Sequence, residues 1–322
     1  GPPHRRARRG ADERHRRAAR RVPHRVHPHR LARAVLLAHG VDVQLVLTHE
    51  DDPSEQIWFD SVSKLAARNH LMFATPKNPN EPQWLEQIAD LKPDFIFSFY
   101  YRHMLSPELL ACARKGAYNM HGSLLPKYRG RVPVNWAVIH GERQTGATLH
   151  EMVTKPDAGA IAGQQAVPIL PDDTAFEVFQ KVTVAAEMVL DNTLPSILNG
   201  SLKMQAQDLS QGSYFGGRKP EDGRIQWTQS AVQIHNLIRA VAPPYPGAFT
   251  ELQGQRLRIL RSRVLHEHRN TEGTSCLYWQ GSTLRAVLKD GSMLELLEIE
   301  HQGQLLDQQG WNALFGSMPV TV

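Results

Sequence analysis

Residues 94–121 read DFIFSFYYRHMLSPELLACARKGAYNMH. The run 94–99 is apolar and aromatic, which predicts a buried strand. Pro107 near a first turn predicts a helix over 106–113. Residues 116–120 form a second strand entering a loop at 121–130. Strand, helix and strand at this spacing are the repeating unit of a parallel α/β sheet. The pattern continues outward. Upstream, 42–48 (DVQLVLT) is a β-branched strand. Asp51-Asp52-Pro53-Ser54 starts a helix near 55–69, a strand covers 71–74, and a helix at 82–91 closes at Pro93. Downstream come an apolar stretch at 132–140 and strands at 146–153 and 160–169. Thr174 and Glu177 form a capping box. The helix after it carries Phe176, Phe179, Val182, Ala186, Val189 and Leu190 at helical spacing, with Pro195 bending its end and Gly200 stopping it.

The expected fold is therefore α/β: an open, mostly parallel Rossmann-like sheet, followed by a small β-rich, barrel-like domain. The division is 1–34 as an Arg-rich segment, disordered or non-native, and 35–200 as the catalytic domain. Residues 201–213 are a polar linker, 214–313 the β-rich domain and 314–322 a tail. In the second domain a helix near 230–240 precedes strand-like runs at 247–252, 256–264, 283–288 and 293–300, with a turn at Lys289-Asp290-Gly291.

Charge separates the same regions. Residues 1–33 hold 12 Arg and only Asp12 and Glu13 as acids, a net +10, whereas the whole chain is +5. The remaining residues thus sum to −5. The sequence pI of about 9.3 is a property of the first segment, and a nucleic-acid partner is not expected from the body. No apolar run is long enough to cross a membrane, so no stable insertion is expected. No apolar leader segment is seen. The only cysteines, Cys112 and Cys276, lie far apart, which disfavours a disulfide framework or zinc ribbon and fits a cytoplasmic setting.

Neither GxGxxG nor GxxxxGK[ST] occurs, which argues against the usual dinucleotide and P-loop sites. Ligands of open parallel sheets still bind beyond the strand C-termini, where 119–131 falls. Asn119 and His121 are two apart, so on a strand end they share a face. An Asn amide donates to a developing oxyanion, and His moves protons near neutral pH. Gly122 and Gly130 allow close backbone approach. Asp157, in Lys155-Pro156-Asp157-Ala158-Gly159, is either a plain turn residue or a carboxylate that orients His121. Spacing alone does not bring the two together.

The stretch from Asn119-Met120-His121-Gly122-Ser123-Leu124-Leu125-Pro126 to Lys127-Tyr128-Arg129-Gly130, with Asp157-Ala158-Gly159 downstream, resembles the signature of the 10-formyltetrahydrofolate-dependent formyltransferases. Phe99 to His103 and Arg131 to Trp136 most closely resemble those that act on UDP-4-amino-4-deoxy-L-arabinose. Phe215 to Pro220, His235 to Ala240 and Pro246 to Phe249 agree. The resemblance runs from about Leu36 to residue 310. It departs at the start: the family opens with a strand, loop and helix that residues 1–35 do not supply.

The resemblance implies an enzyme with Asn119, His121 and Asp157 as catalytic residues, Asp157 raising the pKa of His121. It implies a co-substrate, 10-formyltetrahydrofolate, near His103, Met104, Leu105, Arg131, Val153, Thr154, Lys155, Pro156 and Asp157. The acceptor would be a UDP-linked amino sugar used in lipid A modification. No metal is implied, because the formyl carbonyl is already activated by its attachment to the donor. The competing readings are a methionyl-tRNA formyltransferase, a formyltransferase of another nucleotide-linked amino sugar, and a non-catalytic binding protein of this fold. The sequence does not set the oligomeric state.

Overall fold

The computed structural model describes residues 35–50 and 62–322. The Arg-rich segment 1–34 and the start of the expected 55–69 helix lie outside those residues. Residues 35–38 are helical, with Val35 and Leu36 buried. Then come β1 (Val46–Leu47), α1 (Val62–Arg68), β2 (Phe73–Ala74) and α2 (Pro82–Leu91). β1 is shorter than the expected 42–48: among the described residues Val46 and Leu47 pair in parallel with Phe73 and Ala74, and Thr48 N adds one bond to the Ala74 carbonyl at 3.0 Å.

The quoted stretch folds as β3 (Phe95–Phe99), α3 (Pro107–Leu110) and β4 (Gly116–His121). Ser106 caps α3 by accepting from Leu109 N at 3.2 Å. The helix lasts only one turn. Arg114 N and Lys115 N donate back to the carbonyls of Pro93 and Asp94 at 3.0 and 2.8 Å, drawing the chain into β4 early. His121 is the last residue of β4, paired with Thr148, and not the first of a loop.

After β5 (Arg129–Gly130) and α4 (Pro133–Ile139), β6 (Gln144–Glu151) and β7 (Ile161–Pro168) complete a sheet of order β3-β4-β6-β7. β3 and β4 run parallel, while β6 and β7 add an antiparallel edge. The turn through α4 brings the chain back beside β4 in the opposite sense, a frequent ending for α/β sheets. α5 (Ala175–Leu198) lies across this edge. Its capping box is formed: Glu177 N donates to Thr174 Oγ1 at 3.3 Å, and Thr174 N to Glu177 Oε2 at 2.7 Å. Val182, Val189, Leu190 and Leu194 are buried beneath it. Removing such a side chain, as in Leu190→Ala, costs about 2–5 kcal/mol.

The segment 201–213 is more than a spacer. Gln205 and Ile161 exchange backbone hydrogen bonds at 2.7 and 2.9 Å, and β8 (Tyr214–Phe215) pairs in parallel with β5. The second domain is α6 (Ala231–Val241) packed in a curled antiparallel sheet. It comprises β9 (Ala248–Leu252), β10 (Gln255–Leu265), β11 (Cys276–Gln280), β12 (Thr283–Val287), β13 (Met293–His301), β14 (Gln304–Leu305) and β15 (Val320–Thr321). The α/β class and the barrel-like second domain are as expected. β11, β14 and α7 (Gln308–Phe315) are additions, and the expected tail returns as β15 to pair with β11.

Candidate active site

The site forms where the loop after β4 meets the loop between β6 and β7. His121 is buried, and its Nε2 donates to the Tyr128 carbonyl at 2.7 Å. That carbonyl is held in place: Tyr128 N donates to Ser213 Oγ at 2.8 Å and Tyr128 Oη to Glu142 Oε1 at 2.8 Å. With Nε2 protonated, Nδ1 carries the exchangeable position. It faces Asp157 Oδ1 at 3.6 Å, an ion-pair distance outside hydrogen-bond reach.

Asp157 sits at φ 52°, the left-handed region that Asp tolerates better than most side chains. Its other oxygen, Oδ2, accepts from Gly130 N at 2.9 Å. Gly130 is required there, because at φ 100° a Cβ would lie 2.1 Å from the Phe215 carbonyl oxygen. Gly122 differs: its nearest neighbours, Pro133 and Tyr100, would meet a Cβ at 3.6 Å, an ordinary contact. From segment 201–213, Gln207 Nε2 donates to the carbonyls of Asp157 and Gly159 at 3.0 and 2.6 Å, pinning the loop.

A fourth group completes the cluster. His150, opposite Asn119 in the β4–β6 register, is buried. Its Nδ1 meets the Glu151 carbonyl at 2.8 Å, and its Nε2 lies 3.2 Å from Asn119 Nδ2, a contact that orients the amide. The same Nε2 lies 3.4 Å from Asp157 Oδ1. One hydrogen of the Asn119 amide is thereby fixed and the other left for a ligand. His150 escaped sequence reasoning because it sits within a strand, with no spacing that links it to 119 or 157.

Electrostatics divides the pair. Burial pulls the His121 pKa below its ordinary value, outweighing Asp157 and the Tyr128 carbonyl, which favour the charged ring. Asp157 acts in the expected direction, but burial outweighs it, because the ring is more deeply buried than a loop position implies. Burial also opposes ionisation of Asp157. The His150 and His121 rings and the Gly130 N–H outweigh it and hold the carboxyl at about 2. At neutral pH the site is a neutral imidazole beside a firmly ionised carboxylate, a base with its counter-charge already in place.

The other expected residues lie on neighbouring segments. His103, Met104 and Leu105 follow β3, one strand over from His121; Asn80 Nδ2 donates to Met104 O at 2.9 Å. Val153, Thr154, Lys155 and Pro156 belong to the loop that carries Asp157, and Arg131, exposed, follows β5. Met104 and Val153 are 61% and 40% exposed. Among the described residues no helix is long and apolar enough to cross a membrane.

Residues 29–194 match the family described as formyl transferase, and residues 218–312 its C-terminal domain. The chain belongs to the formyl transferase family, a family of enzymes. Its fold is shared with solved structures of low identity. WlaRD, a sugar 3N-formyl transferase crystallised in the presence of dTDP and 5-N-formyl-THF, is 20% identical with a TM-score of 0.66, over 87% of this chain and 96% of that one. The N-formyltransferase from Helicobacter canadensis in complex with folinic acid and dTDP-3-aminofucose is 21% identical with a TM-score of 0.65, over 82% and 93%. A sugar N-formyltransferase from a Shewanella species is 18% identical with a TM-score of 0.57, over 71% and 90%.

Proposed function

We propose that the chain transfers the formyl group of 10-formyltetrahydrofolate to the 4-amine of UDP-4-amino-4-deoxy-L-arabinose. The observation that carries this reading is the neutral, buried His121 with Nδ1 facing an ionised Asp157, beside an Asn119 amide with one free hydrogen. That set matches acyl transfer to an amine. The amine nitrogen bonds to the formyl carbon, and negative charge develops on the formyl oxygen. Asn119 Nδ2 donates to that oxygen. His121 Nδ1 takes the amine proton while Asp157 stabilises the imidazolium. The bond from carbon to N10 then breaks, and the proton passes from His121 to N10. His150 is a positioning residue: it orients the Asn119 amide and shares the carboxylate of Asp157.

The rim fits a folate. Met104 and Val153 offer exposed apolar surface to a flat ring, and Lys155 and Arg131, both exposed, offer cations to the donor's carboxylates. Two of the solved relatives were crystallised with a formylated folate, one of them with a nucleotide-linked amino sugar, which supports that acceptor class. Phe99 to His103 and Arg131 to Trp136 favour the arabinose derivative.

The test is kcat/KM for three acceptors with 10-formyltetrahydrofolate: UDP-4-amino-4-deoxy-L-arabinose, dTDP-3-aminofucose and methionyl-tRNA. The UDP sugar is expected to be the best by at least about 100-fold, the discrimination available when a site's polar groups are paired by one substrate only. A preference for the dTDP sugar would correct the acceptor, and a preference for tRNA would overturn the sugar class.

A further inference from the structure

Asp157 stands in the loop 152–160, which has no strand or helix of its own. Its backbone is left-handed, at φ 52°, a conformation that a non-glycine residue keeps only where its surroundings hold it. The two ends of the loop are fixed: Glu151 N donates to Ala160 O at 2.9 Å and Met152 N to Ala117 O at 2.8 Å. The turn between them has one long bond of its own, Ala158 N to Lys155 O at 3.3 Å. The Gly130 N–H holds the Asp157 side chain and not its backbone. The carbonyls of the turn are held from outside the loop. Gln207 Nε2 donates to Asp157 O at 3.0 Å and to Gly159 O at 2.6 Å. That amide has an orphan. Its Oε1 is sealed from solvent and has no donor among the described residues. A buried acceptor is ordinarily satisfied, and one that is not calls for an explanation. Turned over, the amide would set Oε1 against two carbonyl oxygens, so the orientation found is the one that serves the loop. The segment does not need the amide as an anchor. Gln205 and Ile161 exchange backbone bonds on one side of it, and Arg129 N donates to Ser213 O at 2.9 Å on the other.

We propose that Gln207 is a positioning residue for formyl transfer: it fixes the turn that holds the Asp157 carboxylate at the His121 ring. The inference rests on the reading of His121 and Asp157 as the acid–base pair. Three groups face the carboxylate: the His121 ring at 3.6 Å, the His150 ring at 3.4 Å and the Gly130 N–H at 2.9 Å. Asp157, the His150 ring and the Tyr128 carbonyl face the His121 ring. None of these groups belongs to the segment that carries Gln207. The amide therefore acts on the pair only through the turn, by setting how closely the carboxylate approaches the imidazole.

The test is Gln207→Met in the full chain, which keeps the length of the side chain and removes its donors. It is read beside Gln205→Ala, Asp157→Asn and the double variant Gln207→Met with Asp157→Asn, each normalised to folded protein. The first readout needs no turnover. The His121 ring is followed by NMR against pH, its signal assigned by its loss in His121→Ala. Asp157 favours the charged ring, so a loosened turn withdraws that support, and His121 is expected to titrate at lower pH in Gln207→Met than in the parent. The second readout is formyl transfer to the UDP amino sugar. Gln207→Met is expected to lower kcat by about 10–100-fold, the scale of a reacting group misplaced by about an ångström, with KM for the sugar unchanged. In the Asp157→Asn background it is expected to add no further loss. Gln205→Ala is expected to match the parent in both readouts. A His121 titration unmoved by Gln207→Met, or the same loss of kcat with and without the Asp157 carboxylate, would overturn the inference alone. Parent-like turnover by Asp157→Asn would overturn the acid–base pair, and the inference with it.

Discussion

His121 and His235 are both buried histidines with an aspartate beside them, and burial pulls the pKa of each below the ordinary value. Their surroundings differ. His235 Nδ1 meets Ser262 Oγ at 2.9 Å, and its Nε2 meets the Pro171 carbonyl at 2.9 Å, with Asp172 Oδ1 at 3.3 Å. Both nitrogens are committed, and nearby Arg239 donates to the carbonyls of Leu170 and Asp173 at 3.1 and 3.0 Å. That cluster ties α6 to the loop before α5 and joins the two domains. His121 has one committed nitrogen and one that faces a carboxylate without a hydrogen bond. A buried, paired histidine alone therefore does not mark an active site; the proposed site adds an uncommitted nitrogen beside an oriented amide.

The contrast can be broken by substitution. The largest effect on chemistry is expected from Asn119→Ala, which removes the oxyanion donor. It lowers kcat by about 10²–10³, measured by formyl transfer, with little change in thermal midpoint. Arg239→Ala acts on the other cluster. It leaves the carbonyls of Leu170 and Asp173 and the Asn236 side chain without their donor and lowers stability by about 2–4 kcal/mol in denaturant titration, while activity per folded molecule is kept. A change in kcat from Arg239→Ala would mean that the clusters are coupled.

His150→Gln keeps a polar group near Asn119 but loses the ring that shares the Asp157 carboxylate. An intermediate loss of about 10–100-fold in kcat is expected with KM little changed, the scale seen when a group orienting a reactive residue is removed. With a neutral His121 as the proposed base, the rate should hold as pH falls to about 6.5 and decline only below it. Asp157 favours the charged ring, so Asp157→Asn should move that acid limb to still lower pH while reducing kcat.

Stability follows the same signs. Asp157, held at about 2 rather than the ordinary 3.8, contributes stability that is fully present above about pH 4 and lost as pH falls through 2. Its partial burial keeps most of that shift, about 2 kcal/mol by linkage. Asp157→Asn should flatten that part of the stability curve. The smallest effect is expected from Gly122→Ala. A Cβ there meets only ordinary contacts, so both stability and kcat should stay near those of the parent, within about 0.5 kcal/mol.

What the sequence disclosed depended on how local the signal was. β3, β4 and the capping box of α5 were legible because run length, turn residues and Thr174 with Glu177 are short-range patterns. Asn119, His121 and Asp157 were legible through their motif, but their meeting was not, since the 157 loop reaches His121 only across the β4–β6 register. His150 looked like an ordinary strand position. The raising effect of Asp157 on His121 was foreseen, but the larger effect of burial was not, because burial depends on what the fold packs over the ring. The shortness of β1 depends on a neighbouring strand, and segment 201–213 looked like a linker because its hydrogen bonds to the site come from backbone and Gln side chains.

The most direct measurement is formyl transfer from 10-formyltetrahydrofolate to the UDP amino sugar by His121→Ala and by His235→Ala, each normalised to folded protein. His121→Ala is expected to lose about 10³-fold in kcat with its fold intact, and His235→Ala to lose stability but keep its rate. Equal losses in the two variants, or full activity without His121, would contradict the assignment of the catalytic base.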